Sequence, residues 1–179
     1  FKGKSRKRRT IMSWKDILKV EKKGLQWSYK NGKKKFLLDK DGVRHAAGAA
    51  VFKGDKILLV ERSEQEDTMH GLWEFAGGKL EHEDEFFEDG SPDAEKVALI
   101  EISEELGLKG SIVKAYKPHY DGNMNPPKKY HCFRMEVKED WEPTLSEEHS
   151  DHKWVTVEEA LEIPSNEMRH HARFVLNQL

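Results

Sequence analysis

Glu101-Ile102-Ser103-Glu104-Glu105-Leu106-Gly107 is the stretch of sequence that decides how this chain folds. On a helix, at about 100° per residue, its three glutamates fall within an arc of roughly 100°, and apolar side chains fill the opposite arc. Like charges three and four residues apart destabilise a helix by about 0.2 to 0.5 kcal/mol each, so we expect a cation to offset them. Upstream, Gly77-Gly78-Lys79-Leu80-Glu81 predicts a turn. The glycine turn and the acidic helix together predict a magnesium site.

The composition predicts one soluble domain with a short appendage. The chain has 179 residues, of which 36% are apolar, and it contains no apolar run near the roughly 18 residues of a membrane span. Cys132 is the only cysteine, which excludes an internal disulfide framework and a zinc site built from several cysteines. No secretory signal is visible at the N-terminus, so we expect a cytoplasmic protein without membrane association.

Charge is distributed unevenly along the chain, although the net charge is only −2. Residues 1–40 contain 15 Lys and Arg against 3 Asp and Glu, whereas residues 41–179 contain 16 against 30. We interpret residues 1–40 as a basic N-terminal extension, made of a leader, a short helix and a hairpin, and residues 41–179 as the main domain. The extension could bind RNA through its phosphates. Alternatively, it lies on the acidic body, and residues 1–11 are a disordered or artificial leader.

Local signals predict strands alternating with a few helices. Ser13 to Val20 predicts a short capped helix, and Leu25 to Leu38 predicts a hairpin around the turn Asn31-Gly32. The acidic helix should begin at Ser91-Pro92 and end at Gly107. Further predicted strands cover residues 45–52, 57–62, 72–75, 111–116, 130–137 and 153–156, and further predicted helices cover residues 157–163 and 166–179. This order of elements predicts an α/β or α+β fold.

The sequence resembles the Nudix hydrolase family, whose motif runs Gly, five residues, Glu, seven residues, Arg-Glu-aliphatic-any-Glu-Glu-any-Gly-aliphatic. The matching residues are Gly78, Asp84, Glu101, Ile102, Glu104, Glu105, Gly107 and Leu108. The resemblance covers roughly residues 45–179 and implies an α/β protein with a Nudix-like α/β/α sandwich and a mixed central sheet. In two departures from the motif, eight extra residues precede the helix and Ile100 occupies the arginine position. An alternative alignment through Glu88 to Ser91 leaves the placement of Asp84 open.

The resemblance also implies metal-dependent hydrolysis of a diphosphate bond. Glu101, Glu105 and the Gly77 carbonyl would bind Mg²⁺ or Mn²⁺, and Glu104 would be either a further ligand or the general base. Carboxylate and carbonyl oxygens are the hard ligands that Mg²⁺ prefers. The family arginine is thought to orient a catalytic glutamate, a role for which Ile100 offers no hydrogen bond.

A further acid from a late loop stands six residues before a tryptophan in MutT-like members. Glu148 stands six residues before Trp154, so we assign Glu148 a metal-binding or general-base role, with Glu147 as its rival. Histidines near this loop and near the C-terminus lack a third metal ligand at a recognisable spacing, and they are predicted to be surface residues. These histidines are His149, His152, His170 and His171.

The segment from Gly71 to Glu81 resembles the MutT-type subgroup. It supplies Lys79 as a substrate-binding residue, together with Trp73 and Phe75, whose rings could stack on a base or belong to the core. The favoured reaction converts a nucleoside triphosphate, including an oxidised one, to the monophosphate and pyrophosphate. The alternatives are ADP-ribose, a dinucleotide polyphosphate or capped RNA as substrate, or a nucleotide- or RNA-binding module with little catalysis.

Overall fold

The structure, a computed structural model, describes residues 14–66 and 68–179, with side chains described from residue 18 onward. Its strands form one mixed sheet. The strands are β1 (Gln26–Lys30), β2 (Lys33–Leu38), β3 (Arg44–Lys53), β4 (Lys56–Arg62), β5 (Trp73–Glu74), β6 (Gly77–Lys79), β7 (Ile112–Ala115), β8 (His119–Asp121), β9 (Lys128–Glu136) and β10 (His149–Thr156). The centre of the sheet is the parallel pair of β3 and β9, and the other strand pairs are antiparallel.

The helix that carries the acidic residues is capped at both ends by residues that adjoin it in sequence. The helices are α1 (Trp14–Lys22), α2 (Ala94–Leu106), α3 (Val157–Glu162) and α4 (His170–Leu176). At the start of α2 the Asp93 side chain accepts a hydrogen bond from the Lys96 N–H, and Gly107 ends the helix in the left-handed conformation with φ 69°. The predicted start at Ser91-Pro92 is therefore wrong by two residues, because Asp93 satisfies the first free N–H groups instead.

Strand β3 separates two layers of helices, because successive side chains of a strand point to opposite faces. One face packs against α3 and α4 in a cluster that includes Ala46, Ala50, Phe52, Ala160, Ala172 and Val175. The other face packs against α2 in clusters that include Ala47, Ala49, Val51, Val97, Ala98 and Ile102. The predicted α/β class and the α/β/α sandwich around a mixed sheet are confirmed.

The described part of the basic extension packs on the same core. Val20, Leu25 and Leu37 belong to one cluster with residues of α2. The hairpin turn is the predicted one, since Asn31 and Gly32 adopt φ values of 53° and 72°, as a two-residue hairpin turn with positive φ at both positions requires. The proposed Ser13 cap and the leader lie outside the described residues.

Several boundaries differ from the predictions for identifiable reasons. Gly77–Lys79 is a strand rather than a turn, because it pairs with β3. Strand β8 was not predicted, and β10 begins at His149, four residues before its predicted start. Helix α4 begins at His170 rather than at residue 166, since the Arg169 N–H donates to the Trp73 carbonyl and keeps the preceding segment extended. None of the described helices is long and apolar enough to cross a membrane.

Candidate active site

Two glycines bring the acidic helix against the sheet. Strand β6 pairs with β3, and α2 packs across both strands. A Cβ on Gly78 would lie 2.3 Å from Oε1 of Glu101, and a Cβ on Gly77 would lie 2.4 Å from the Ala47 carbonyl oxygen. Because such separations are too short for real atoms, only glycine lets the Glu101 carboxylate rest on the strand. The sequence needs two glycines here because Glu101 closely approaches Gly78 and Ala47 closely approaches Gly77.

Glu105 lies one helical turn beyond Glu101 and is buried, with 2% of its surface exposed. Its Oε2 accepts a hydrogen bond of 2.8 Å from the Gly77 N–H. Burial raises the pKa of Glu105 well above its usual value, and the nearby charges of Glu101 and Glu148 raise it further. The structure thus brings Gly77, Glu101, Glu105 and Glu148 together, as the sequence predicted, and it concentrates negative charge there.

This arrangement fits a hard divalent cation. Among the described residues, no group of three acidic, histidine or cysteine side chains is arranged to hold a metal ion by itself. Mg²⁺ typically uses one or two carboxylates and retains several waters, so an open set formed by Glu101, Glu105 and the Gly77 carbonyl suits it. A cation would also offset the repulsion that raises the pKa of Glu105. The residues present therefore match the chemistry of a magnesium or manganese site.

Glu104 and Glu148 are both exposed, but they face different surroundings. Glu148 lines the cavity beside Glu101, and its carbonyl accepts a hydrogen bond of 2.9 Å from the Ser63 N–H. Glu104 instead borders a shallow cleft with Leu99 and Ile100 on the outer side of α2. The structure does not bring Glu104 to the cavity, and its role as a ligand or general base stays a prediction.

A cavity of about 420 Å³ opens in front of these acids. We call Gly77, Gly78, Glu101, Glu105 and Glu148 the acidic wall; Glu105 is buried and the other four residues line the cavity. The same cavity is also lined by five cations, Arg44, Arg62, Lys79, Lys128 and Arg169, which we call the basic wall. A candidate cation site therefore shares one cavity with side chains that can bind anions.

Buried Glu74 holds part of the basic wall in place. Its two carboxylate oxygens accept hydrogen bonds from Nη1 of Arg62 at 2.9 Å and from Nη1 of Arg169 at 3.2 Å. Burial acts to raise the pKa of Glu74, but His149 and the two arginines outweigh it and lower the pKa below its usual value. Glu74 is therefore ionised, and it fixes two cations that enter the cavity from different parts of the chain.

His149 lies between the two walls. Its Nε2 is 3.6 Å from Oε1 of Glu74, and its Nδ1 is 3.9 Å from Oε2 of Glu105. His171 is also close to Glu74, with its Nε2 4.0 Å from the second carboxylate oxygen. Both histidines are buried, so the prediction that they lie on the surface is wrong. The spacing of the two histidines in the sequence did not indicate that both lie beside the carboxylate of Glu74.

The three predicted substrate-binding residues occupy different environments. Lys79 lines the cavity. Phe75 also borders it, but the ring is packed in the core and only 2% of its surface is exposed. The ring of Trp73 is half-buried and is covered by Nζ of Lys153 at 3.8 Å from its centroid. Because Phe75 is buried and one face of Trp73 is covered by Lys153, base stacking by them stays a prediction.

Most of the basic wall and the residue that anchors it, Glu74, were not predicted from the sequence. Arg62 ends β4, Lys128 begins β9 and Arg169 precedes α4, so no local spacing connects them. Glu74 did carry a signal, because it is a charged residue inside the otherwise apolar run from Leu72 to Ala76. A buried charge in such a run requires a partner.

Comparisons with known proteins agree with this geometry. The NUDIX domain family model matches residues 42–177. The CTP pyrophosphohydrolase of Escherichia coli (strain K12) is 35% identical over 122 residues, which cover 65% of this chain and 78% of that protein. The solved MutT protein from Methanosarcina mazei Go1 has a TM-score of 0.62 and 21% identity, covering 76% of this chain and 91% of that one.

A second solved structure extends the match in fold over nearly the whole chain. The NUDIX domain of Shewanella oneidensis NrtR, crystallised with ADP ribose, has a TM-score of 0.58 and 16% identity, covering 93% of this chain and 96% of that one. At this identity the likeness concerns the fold alone. The family model, however, matches most of the chain and includes the glycine strand and the acidic helix. The chain therefore belongs to the NUDIX domain family.

Proposed function

We propose that this chain, a Nudix-type pyrophosphohydrolase, cleaves a nucleoside triphosphate to the monophosphate and pyrophosphate with Mg²⁺ or Mn²⁺. The observation that carries the proposal is that one cavity is lined both by acids suited to a divalent ion and by five cations. A triphosphate with its metal ion matches both walls. The acids would hold the metal ion, and the cations would bind the negative charge of the phosphates that the ion does not neutralise. The relative that acts on CTP favours a nucleoside triphosphate.

The acidic wall would hold the ion through Glu101, Glu105 and the Gly77 carbonyl. When bound, the ion supplies Lewis-acid polarisation of the diphosphate and lowers the pKa of a coordinated water. Glu148 lies at the cavity beside Glu101, which is the position a general base needs in order to accept a proton from the attacking water. Glu104 would act from the solvent side, as a further ligand or as the alternative base.

The basic wall would bind and orient the phosphate chain. Arg62 and Arg169 are held by Glu74, so their guanidinium groups need little reorganisation when the substrate enters. Lys128 lies near both Arg44 and Arg169, and the burial of this cluster makes a phosphate a favourable partner. Lys79, on the glycine strand, would bridge the two walls by contacting the phosphate nearest the ion.

A smaller cavity of about 110 Å³ adjoins the first. His119, Asp121 and Met124 border it, and it shares Lys128 and Arg169 with the main cavity. This mixture of ring, carboxylate and thioether suits a nucleobase better than a further phosphate. Trp73 and Phe75 would then support the site from the core.

Other reactions of the same class remain alternatives within the proposal. ADP-ribose is bound by the NrtR domain, and dinucleotide polyphosphates or capped RNA also contain a diphosphate bond. A weakly catalytic binding module is the alternative of a different class, favoured by Ile100 at the arginine position of the motif.

The proposal also includes RNA binding through the basic extension. It further includes a cytoplasmic location, which is based on the single cysteine.

Product analysis tests the proposal. A panel of nucleoside triphosphates, ADP-ribose and dinucleotide polyphosphates is incubated with the protein and Mg²⁺ or Mn²⁺, and the products are separated by ion-exchange chromatography. We expect pyrophosphate and a nucleoside monophosphate from at least one triphosphate, and no cleavage in EDTA. Release of two nucleotides from a dinucleotide, with intact triphosphates, would support the alternative substrates. Absence of cleavage across the panel with either metal would contradict the enzymatic proposal.

A further inference from the structure

The main cavity and the smaller cavity beside it share part of their lining. The residues that line both are Met69, Met124, Lys128, Tyr130, Arg169 and His171. Lys128 and Arg169 belong to the basic wall, and the side chains of Tyr130 and His171 are buried. Met69 and Met124, by contrast, are 52% and 39% exposed. We call these two residues the methionine rim, because they are the exposed apolar side chains at the junction of the two cavities.

The exposure of the rim differs from that of the other methionines whose side chains the structure describes. Met135 and Met168 are buried in the core. A single exposed apolar side chain needs no explanation. The rim residues, however, come from two separate loops, one between β4 and β5 and the other between β8 and β9, and they line the same two cavities. Their shared position therefore points to a ligand rather than to chance exposure.

The backbone of Met69 is held in a conformation that its residue type disfavours. Its φ of 62° lies in the left-handed region, which side chains with a Cβ rarely adopt. Among the described residues, the other non-glycine residue with a positive φ is Asn31, which tolerates this region and forms the hairpin turn. Strained residues persist only where the surrounding structure holds them, and they concentrate at ligand-binding sites. Met69 is strained without serving a regular turn of a hairpin.

The segment that carries Met69 is held by a residue of the basic wall. Nε of Arg62 donates a hydrogen bond of 3.2 Å to the Thr68 carbonyl, and the Arg62 carbonyl accepts one of 2.9 Å from the Gly71 N–H. Arg62 is in turn bound to the buried carboxylate of Glu74. The position of Met69 is therefore tied to a side chain that would bind phosphate.

Met124 is also connected to the basic wall. Its sulfur lies 3.2 Å from Nη2 of Arg44. This contact allows a simpler role, in which Met124 only supports the guanidinium group of Arg44. Methionine also makes favourable contacts between its sulfur and aromatic rings, and its flexible side chain adapts to rings of different shape. A ligand with a phosphate and an aromatic ring would use both properties.

We propose that the methionine rim binds the ring of the nucleobase, while Lys128 and Arg169 bind the phosphates of the same nucleotide. The identification of the cavity as a nucleotide site rests on the proposed function, whereas contact between the rim and a base requires no hydrolysis. Thioethers contact a ring without reading the hydrogen-bonding groups on its edge, so the rim should accept more than one base.

Nuclear magnetic resonance of the methionine methyl groups tests this contact directly. The full chain, labelled with ¹³C at these methyl groups, is titrated in EDTA with cytidine, uridine, adenosine and guanosine 5′-monophosphates. Ribose 5-phosphate, which has the same phosphate and no base, is the matched ligand. The variants Met69→Gly and Met124→Ala assign the two rim signals. We expect the ring current of a base to shift both rim signals, whereas ribose 5-phosphate shifts neither in this way and Met135 and Met168 stay unchanged.

Affinities of the same ligands measure how much the rim contributes. The double variant Met69→Gly, Met124→Ala should weaken the most tightly bound monophosphate by about tenfold, equivalent to about 1.4 kcal/mol. It should change the affinity for ribose 5-phosphate by less than about twofold. Asn31→Gly with Leu161→Ala is the control, because it changes another left-handed position and another exposed apolar side chain outside both cavities. The control should bind every ligand as the parent protein does.

Thermal melts show that a loss of binding is not a loss of fold. Met69→Gly should melt no lower than the parent protein, because glycine adopts a positive φ without strain. A residue retained for stability would give the opposite result. Lower melting of Met69→Gly, together with equal weakening of all ligands, would therefore overturn the proposal.

The remaining outcomes separate the rim from the proposed function. Equal weakening of the monophosphate and of ribose 5-phosphate would mean that Met124 only supports Arg44, and it would overturn the proposal. Rim signals that respond to no base would overturn it as well, even if triphosphates are cleaved. If monophosphates shift the rim signals but no triphosphate is cleaved, the rim proposal is supported and the proposed function alone fails.

Discussion

The two walls of the cavity are built in opposite ways. Most of the acidic wall is local, because Gly77 and Glu105, joined by a hydrogen bond, are 28 residues apart; Glu148 alone comes from a later loop. The basic wall is assembled from distant segments, since Arg169 meets Glu74 across 95 residues. In this molecule a short motif would encode the proposed metal binding, whereas the order of strands in the sheet would encode the proposed contacts with substrate.

The walls also differ in how their charges are balanced. In the acidic wall, Glu101 and Glu148 repel Glu105, and the N–H of Gly77 offsets part of this repulsion by donating to Glu105. In the basic wall, Glu74 compensates its arginines directly. A bound cation would reduce the repulsion in the first wall, whereas Glu74 positions the arginines of the second wall before any ligand arrives.

The largest effect is expected from Glu105→Gln, which keeps a hydrogen-bond acceptor for Gly77 but removes the charge. We expect kcat/KM to fall by at least about a hundredfold, equivalent to about 2.7 kcal/mol of barrier, because the metal loses a ligand. The melting temperature without metal should rise, since repulsion from Glu101 and Glu148 is relieved. Steady-state kinetics and thermal melts with and without Mg²⁺ measure both effects.

Glu95→Gln is the matched control, because Glu95 lies exposed on the same helix away from the cavity. It should leave kcat/KM and the metal-induced shift in melting temperature close to those of the parent protein. An equal loss in both variants would assign the effect to helix stability and remove Glu105 from the metal site.

The next largest effect on activity, accompanied by a loss of stability, is expected from Glu74→Gln, which breaks the preorganised wall. Removing one partner of a buried ion pair typically costs about 3 to 5 kcal/mol, so urea unfolding should show a clear loss of stability. The freed arginines should raise KM more than they lower kcat. Glu136→Gln, which breaks the surface pair with Arg134, should cost about 1 kcal/mol or less. Similar losses for Glu74 and Glu136 would show that Glu74 does not anchor the wall.

The contrast between the walls explains what could be predicted from sequence. Glu101, Glu105 and Gly77 were identified because helix period and glycine spacing are local patterns, which can be recognised in the sequence without knowledge of the fold. Arg62 and Arg169 were missed because their proximity depends on β5 lying between β4 and the segment before α4. The sequence did not identify Asp93 as the N-cap of α2, because Ser91 and Asp93 both suit an N-cap position. Only the backbone geometry decides between them.

A pH profile of activity tests the basic wall separately, because Lys128 in this wall has a lowered pKa. Burial, together with the charges of Arg169 and Arg44, lowers the pKa of Lys128 to about 8. Lys128 is charged below that pH and neutral above it, so kcat/KM should decline by several-fold as pH rises through about 8. Lys128→Arg should extend activity to higher pH, because guanidinium stays charged. Lys129→Arg is the control, and its profile should match that of the parent; if Lys128→Arg also matched it, Lys128 would not bind phosphate.

The smallest effect is expected from Ile100→Arg, which restores the arginine of the family motif to the acidic helix. Ile100 is 41% exposed and borders the outer cleft with Glu104, so a new guanidinium would lie on the side of α2 that faces away from the cavity. An Arg–Glu pair at i,i+4 on a helix contributes only about 0.2 to 0.5 kcal/mol. We therefore expect kcat/KM to change by less than about twofold. A gain of about tenfold would show that Glu104 acts in catalysis and that an arginine can orient it, which would extend the acidic wall to the outer side of the helix.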